Sequence, residues 1–93
     1  MSMRIPIILP DLGMKSVEII FGSWLVDKGA RVEKGQELFE VEADKATVVV
    51  EAESSGTLAE ILVTEGRVSE GEILGYLEVD EEHLEGSLEV KDF

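Results

Sequence analysis

Three observations predict an all-β domain. Glycine recurs at positions 13, 22, 29, 35, 56, 66, 71, 75 and 86 and separates short runs rich in Val, Ile and Leu. That spacing suits strands and tight turns rather than helices. In Phe39-Val41-Ala43 and Ala46-Val48-Val50-Ala52 the apolar residues fall at period two, while Glu40, Glu42, Thr47 and Glu51 take the opposite side. Each of these two strands is therefore expected to turn one face to a core. The third observation is an internal repeat. Leu25-Val26-Asp27-Lys28-Gly29 returns 37 residues later as Leu62-Val63-Thr64-Glu65-Gly66. Val32, Gly35, Leu38 and Val41 return 36 residues later as Val68, Gly71, Leu74 and Leu77.

In chain order the expected strands are Ile5–Leu9, Ile19–Val26, Arg31–Val32, Glu37–Ala43, Ala46–Ala52, Thr57–Val63, Arg67–Val68 and Ile73–Val79. Eight short strands in one small domain predict a sandwich or flattened barrel. The repeat adds quasi-two-fold symmetry, with about four strands from each half. Only Asp44 and Lys45 separate the fourth strand from the fifth, so the connection must be a tight hairpin. An offset of 36 carries Lys45 onto Glu81, where the strand pattern has just ended. The hairpin is thus expected at the end of the molecule opposite the C-terminus. From Asp80 to Phe93 the sequence reads as a mobile acidic tail or the start of a linker. Met1-Ser2, ahead of a second methionine at Met3, reads as an added start, and neither end enters the strand assignment.

Composition narrows the function. The chain has 93 residues, eight Lys and Arg against 21 Asp and Glu, a formal charge of −13, one His and no Cys. A domain of this size buries only about two-thirds of its unfolded surface and leaves little room for a catalytic cleft of its own. Its acidity would repel phosphate backbones and anionic lipid, which argues against nucleic-acid and membrane-surface binding. Plausible partners carry basic patches. Without cysteine, thiol chemistry would need an attached group. No apolar run approaches the roughly 18 residues of a membrane span, and the N-terminus lacks the basic start and apolar core of a signal peptide, so the expectation is a soluble intracellular domain. At 44% hydrophobic residues the chain has enough apolar material for a packed core.

Few residues are candidates for chemistry. The sole histidine, His83, lies in the tail, which leaves no triad or His-ligated metal site within the strands. Glu40, Glu42, Glu51 and Glu53 read as a solubilising outer face rather than acid/base pairs. Gly29-Ala30-Arg31-Val32-Glu33-Lys34-Gly35 lacks the helix and the Lys-Ser/Thr of a phosphate loop. Trp24 reads as a core anchor. Lys45 remains: an amine at a hairpin tip, as exposed as a residue can be, with no evident conformational advantage over Asn or Gly there. From geometry alone the simpler reading is an ordinary solvated turn lysine opposing nearby carboxylates.

Glu42-Ala43-Asp44-Lys45-Ala46, with Leu9-Pro10-Asp11-Leu12-Gly13 upstream, Trp24-Leu25-Val26 followed by Gly29, and Gly35 and Gly56 at matching spacing, resembles the lipoyl domain of 2-oxo acid dehydrogenase acyltransferases. The resemblance runs from about Ile5 to Val79 and implies a lipoyl domain over residues 1–79, a barrel-sandwich of two four-stranded antiparallel sheets. It also implies that Lys45 carries lipoic acid as an amide, that Asp44 and Ala46 flank the hairpin for recognition by a lipoate ligase or lipoyl transferase, and that Glu42 contacts the ligase or the decarboxylase. Implied partners are a thiamine-dependent decarboxylase, an acyltransferase core and the flavin-dependent dihydrolipoamide dehydrogenase. The implied location is the cytoplasm or, in a eukaryote, the mitochondrial matrix, with the isolated domain a monomer that is not an enzyme on its own. A biotin carboxyl carrier, a glycine-cleavage H-like carrier and an unmodified lipoyl-like module are the alternatives; the first usually has methionines beside its lysine, where this chain has Asp44 and Ala46. Two positions depart from the family pattern. Ile19 stands where a glycine is usual, with Gly22 nearby, so the local turn is expected to differ. Val49 points outward where relatives often place a polar residue, giving an apolar spot beside the hairpin that could touch the ligase or the arm.

Overall fold

The computed structural model describes residues 2–13 and 17–80. Its eight strands are β1 (Ser2–Ile8), β2 (Ile19–Trp24), β3 (Arg31–Val32), β4 (Glu37–Ala43), β5 (Ala46–Glu51), β6 (Gly56–Ile61), β7 (Arg67–Val68) and β8 (Ile73–Asp80). β3, β4 and β7 cover the expected residues, and the others shift at their ends by one to three. Two antiparallel sheets form, in the orders β1-β8-β6-β3 and β5-β4-β2-β7. Each half of the repeat keeps its long strands together and lends its two-residue strand to the other sheet: β3 pairs with β6, and β7 with β2.

The repeat is physical, not only textual. Gly29 and Gly66 have φ of +92° and +93°, and Gly35 and Gly71 have +89° and +88°, a conformation that carries no penalty only for glycine. The turns they build are hydrogen-bonded alike. Gly35 N–H donates to Ala52 O and Ala52 N–H to Gln36 O, while Gly71 N–H donates to Leu9 O and Leu9 N–H to Glu72 O. β2 and β6 both carry a bulge, at Gly22 and at Ala59. The halves part company in their connections, since residues 52–55 suffice between β5 and β6 whereas residues 9–18 join β1 to β2.

One expectation about the ends needs correction. Ser2 belongs to β1, opposite Asp80 of β8, and Met3 pairs with Val79. The first strand therefore starts three residues earlier than its apolar pattern suggests, because backbone pairing along β8 does not require apolar side chains. The tail from Glu81 to Phe93, with His83, lies outside the described residues.

Phe39, Leu9, Leu58, Leu74, Val32, Val41 and Val79 are the largest fully buried side chains among the described residues. Phe21, Trp24 and Phe39 form an aromatic cluster with ring centroids 5.3–5.8 Å apart. Trp24 Nε1 donates to Val63 O at 2.8 Å, which ties β2 to the segment after β6 and confirms the indole as a core anchor. β5 departs from the expected pattern: Ala46 is exposed, Val48 and Val50 are half-buried, and Ala52 is buried beyond the strand. The cause is topological. β5 is an edge strand with a neighbour on one side only, and its inner face borders an open seam against β1, lined by Ile5, Ile7, Leu38, Val50 and Leu77.

Strand directions fix where the ends lie. β4 runs to Ala43, which pairs with Ile19, and Ile19 pairs with Val68 of β7. The turn Ser69–Glu72 closes with Glu72 N–H donating to Ser69 O. β8 then leads away from the Asp44-Lys45 hairpin for eight residues, roughly 25 Å at strand rise. Ser2 and Asp80 stand paired at the far end, as the repeat predicts.

Candidate functional site

The site is the hairpin joining β4 to β5. Its closing pair is Ala43 with Ala46, leaving Asp44 and Lys45 as the two turn residues. A two-residue loop between right-twisted strands favours a positive φ at its first corner. Asp44 supplies it with φ +59°, the only positive φ at a non-glycine residue among those described. Aspartate tolerates this region because its short polar side chain can bond locally. Lys45 is thereby relieved of the strained position. Asp44 therefore has a conformational role, in keeping with the suitability of aspartate for a tight turn.

Lys45 is exposed and, among the described residues, makes no ion pair or hydrogen bond. The carboxylates around it do not tie it down. All three arginines, by contrast, sit in surface ion pairs: Arg4 with Glu60 at 3.0 Å, Arg31 with Glu33 at 3.2 Å and Arg67 with Glu18 at 3.1 Å. A free amine on a short, closed turn suits covalent attachment of a long group, because nothing must be broken to present it.

The sequence candidates divide by position. Asp44 and Ala46 adjoin Lys45, both exposed. Glu42 lies one step down β4, exposed and in register with Thr47 on one side and Ile20 on the other. Glu40 is the next outward residue, pairs with Val49 and accepts a hydrogen bond from Ser23 Oγ at 3.3 Å. Glu51 and Glu53 stand at and beyond the far end of β5, so they are not brought to the lysine. Val49 is 42% exposed, as expected of an outward residue. Ile20, 37% exposed, was not singled out from the sequence, although its alternation with buried Ile19 marks it. It lines an open cleft with Val17, Glu18, Glu42 and Asp44.

Ile19 also explains the departure noted above. It is buried at the start of β2, between Ala43 and Val68, and its equivalent in the other half is Gly56. At Gly56 an added Cβ would lie 2.5 Å from Glu78 O, whereas the first half accommodates a full isoleucine. Gly22 serves the bulge instead, where a Cβ would come 3.0 Å from Glu40 O.

Residues 5–77 match the biotin/lipoyl attachment family, described as "Biotin-requiring enzyme". The chain is 38% identical over 74 residues to the dihydrolipoyllysine-residue succinyltransferase component of the 2-oxoglutarate dehydrogenase complex of Rickettsia conorii, covering 78% of this chain and 19% of that protein. It is 42% identical over 64 residues to the dihydrolipoyllysine-residue acetyltransferase component of the pyruvate dehydrogenase complex of Rhizobium meliloti, covering 69% and 14%. With the Bacillus subtilis succinyltransferase component the identity is 41% over 68 residues, covering 72% and 16%. The chain thus spans less than a fifth of the length of these relatives. Domains of this family in acyltransferase components carry lipoic acid covalently on a lysine. With a matching two-sheet fold and matching residues from Ile5 to Leu77, the chain belongs to the biotin/lipoyl attachment family, as a lipoyl domain of the acyltransferase-component type.

Proposed function

We propose that Lys45 is the lipoyl attachment site and that the domain carries acyl groups and reducing equivalents between the active sites of a 2-oxo acid dehydrogenase complex. The observation that supports this most directly is the exposed, unpaired amine of Lys45 on a two-residue turn whose strained corner is taken by Asp44. When attached, lipoic acid supplies the dithiolane that accepts and hands on the acyl group, chemistry that a chain without cysteine lacks. The polypeptide's part is placement. β4 and β5 hold the turn rigidly by the Ala43–Ala46 pair, and short side chains at Ala46 and Thr47 leave room for an enzyme to close around the lysine. Acylation of Nζ also removes the one positive charge of the hairpin, which leaves Glu42 and Asp44 beside a neutral arm.

On this reading the partners are a lipoate ligase or transferase, a thiamine-dependent decarboxylase, an acyltransferase core and dihydrolipoamide dehydrogenase. The domain itself turns nothing over and works in the cytoplasm or mitochondrial matrix. Asp44 and Ala46 present the lysine to the ligase, and Glu42 meets the ligase or decarboxylase. Incubation with lipoate ligase, lipoate and ATP, followed by mass spectrometry, is expected to add one lipoyl group to the wild-type chain and none to Lys45→Arg, which keeps the charge and the fold. A lipoyl increment on the arginine variant, or a biotin increment from biotin ligase alone, would overturn the reading.

A further inference from the structure

Four strands lie at sheet edges: β1, β3, β5 and β7. β3 and β7 are two residues long, too short to seat another strand. The two long edges, β1 and β5, are equivalent by the internal two-fold, yet only β1 is guarded. A two-residue turn requires Ala43 and Ala46 to exchange both backbone hydrogen bonds, and Ala52 N–H donates to Gln36 O. By alternation Ala46, Val48, Val50 and Ala52 aim their backbone groups at the neighbouring chain, while Thr47, Val49 and Glu51 aim theirs away from the sheet. In β1 the same places hold Arg4, Pro6 and Ile8, with Pro6 opposite Tyr76 as Val49 is opposite Glu40. Pro6 has no N–H and its ring blocks an incoming strand, and Arg4 adds a charge, held to Glu60. β5 has neither device. Val49 stands where β1 has its proline, and no Lys, Arg or Pro lies between Ala46 and Glu51.

The sequence of β5 specifies what fits there. When β5 is set antiparallel to a second β5, the register centred on Val49 engages Thr47, Val49 and Glu51 of both copies. Val49 then meets Val49 of the second copy, Thr47 meets Glu51 of the second copy, and about six backbone hydrogen bonds form. The side chains agree with the backbone. The Thr47 hydroxyl can donate to the carboxylate of Glu51 of the second copy, and Lys45, exposed and unpaired, lies toward Glu53 of the second copy, which is exposed as well. On the inner face Val48 and Val50, both half-buried beside the seam, would cover one another. A register centred on Glu51 would instead oppose like carboxylates. The charge of −13 lies mostly elsewhere, since from Lys45 to Glu53 the only charged residues are Lys45, Glu51 and Glu53. We propose that β5 is a self-association edge, along which two copies of this chain join their sheets by antiparallel pairing centred on Val49, in place of the monomer that the family resemblance implies. Because the two strands run in opposite directions, the Asp44-Lys45 turns end at opposite ends of the joined sheet. The pairing does not depend on the carrier reading of Lys45.

The test uses the full unmodified chain at about 0.15 M salt. Sedimentation equilibrium from about 10 μM to about 1 mM is expected to show a reversible monomer–dimer equilibrium. Amide exchange at Thr47, Val49 and Glu51 should slow as the concentration rises. Val49→Pro copies Pro6 and removes an N–H that points away from β4, so the variant should melt like wild type and stay monomeric throughout. Val49→Lys leaves the backbone intact and brings two ammonium groups together on the two-fold axis, and it should raise the dimer Kd at least about tenfold. A wild-type chain that remains monomeric at about 1 mM would overturn the proposal. So would a dimer that persists unweakened in Val49→Lys, or one that protects amides other than those of β5.

Discussion

Glu37 and Glu51 face each other across β4 and β5, and at the corresponding places across β8 and β1 stand Ile73 and Ile8. The contrast extends along the strands. Outward from Glu37, β4 carries Glu40 and Glu42, where β8 carries Tyr76 and Glu78. Backbone geometry is nonetheless copied between the halves, in glycine φ values that agree within a few degrees and in bulges at the same place. The fold repeats where turns and pairing demand it and diverges where only solvent or a partner reads the side chain. The acidic face of β4 leads up to the Asp44-Lys45 hairpin. Even the two ends obey this logic: one pair of strands is closed by Asp44-Lys45, while its counterpart is open and carries Ser2 and Asp80.

The comparison can be broken most severely in the core. Phe39 and Gly75 occupy equivalent positions, one filled by a ring and the other empty so that Trp24 can approach. Phe39→Ala is expected to cost about 3–5 kcal/mol in urea unfolding through the cavity left in the aromatic cluster. Gly75→Ala should cost about 1–3 kcal/mol for the opposite reason, since a Cβ there would lie 2.5 Å from Glu60 O and 3.3 Å from the Trp24 ring. A Gly75→Ala chain as stable as wild type would mean that the two halves are less constrained than their geometry implies.

A finer test compares like with like. Gly29 and Gly66 share φ near +92°, and at neither would an added methyl group meet another atom within 4 Å, so strain alone is at stake. Gly29→Ala and Gly66→Ala should therefore each lose about 1 kcal/mol, equal within error in thermal melts. Unequal losses would show that the repeat is matched in shape but not in energy.

The smallest expected effect separates the two faces by salt. If Glu40, Glu42 and Asp44 steer basic partners to the hairpin, raising ionic strength from about 0.05 to 0.5 M should slow association with the ligase several-fold in stopped-flow measurements. Glu42→Gln should flatten that dependence, and Glu60→Gln, on the other sheet and already paired with Arg4, should not. An association rate indifferent to salt would reduce the acidic face to a solubilising role.

Much of this was legible in the residues. Period-two alternation located β4, and the recurrence of Gly29 and Gly35 as Gly66 and Gly71 revealed the two-fold, because a left-handed turn leaves few residues to choose from. The brevity of Asp44-Lys45 forced the hairpin, and its place opposite the chain ends followed from the offset alone. Local chemistry determines such features, so a local pattern records them.

What the tertiary structure decided was set by neighbours distant in sequence. Whether Val48 and Val50 would be buried depended on β5 lying at a sheet edge, which no property of β5 announces. The exchange of β3 and β7 between the sheets, and the inclusion of Ser2 in β1, depended on which backbone each strand found to pair with. Lys45 itself was fixed as a candidate by its sequence, but its freedom from the surrounding carboxylates could be known only from where those side chains came to rest. Hydrogen-bond partners and ion pairs across the fold have no signature in either strand alone, since backbone groups are the same in every residue and long side chains settle only once the packing around them is complete.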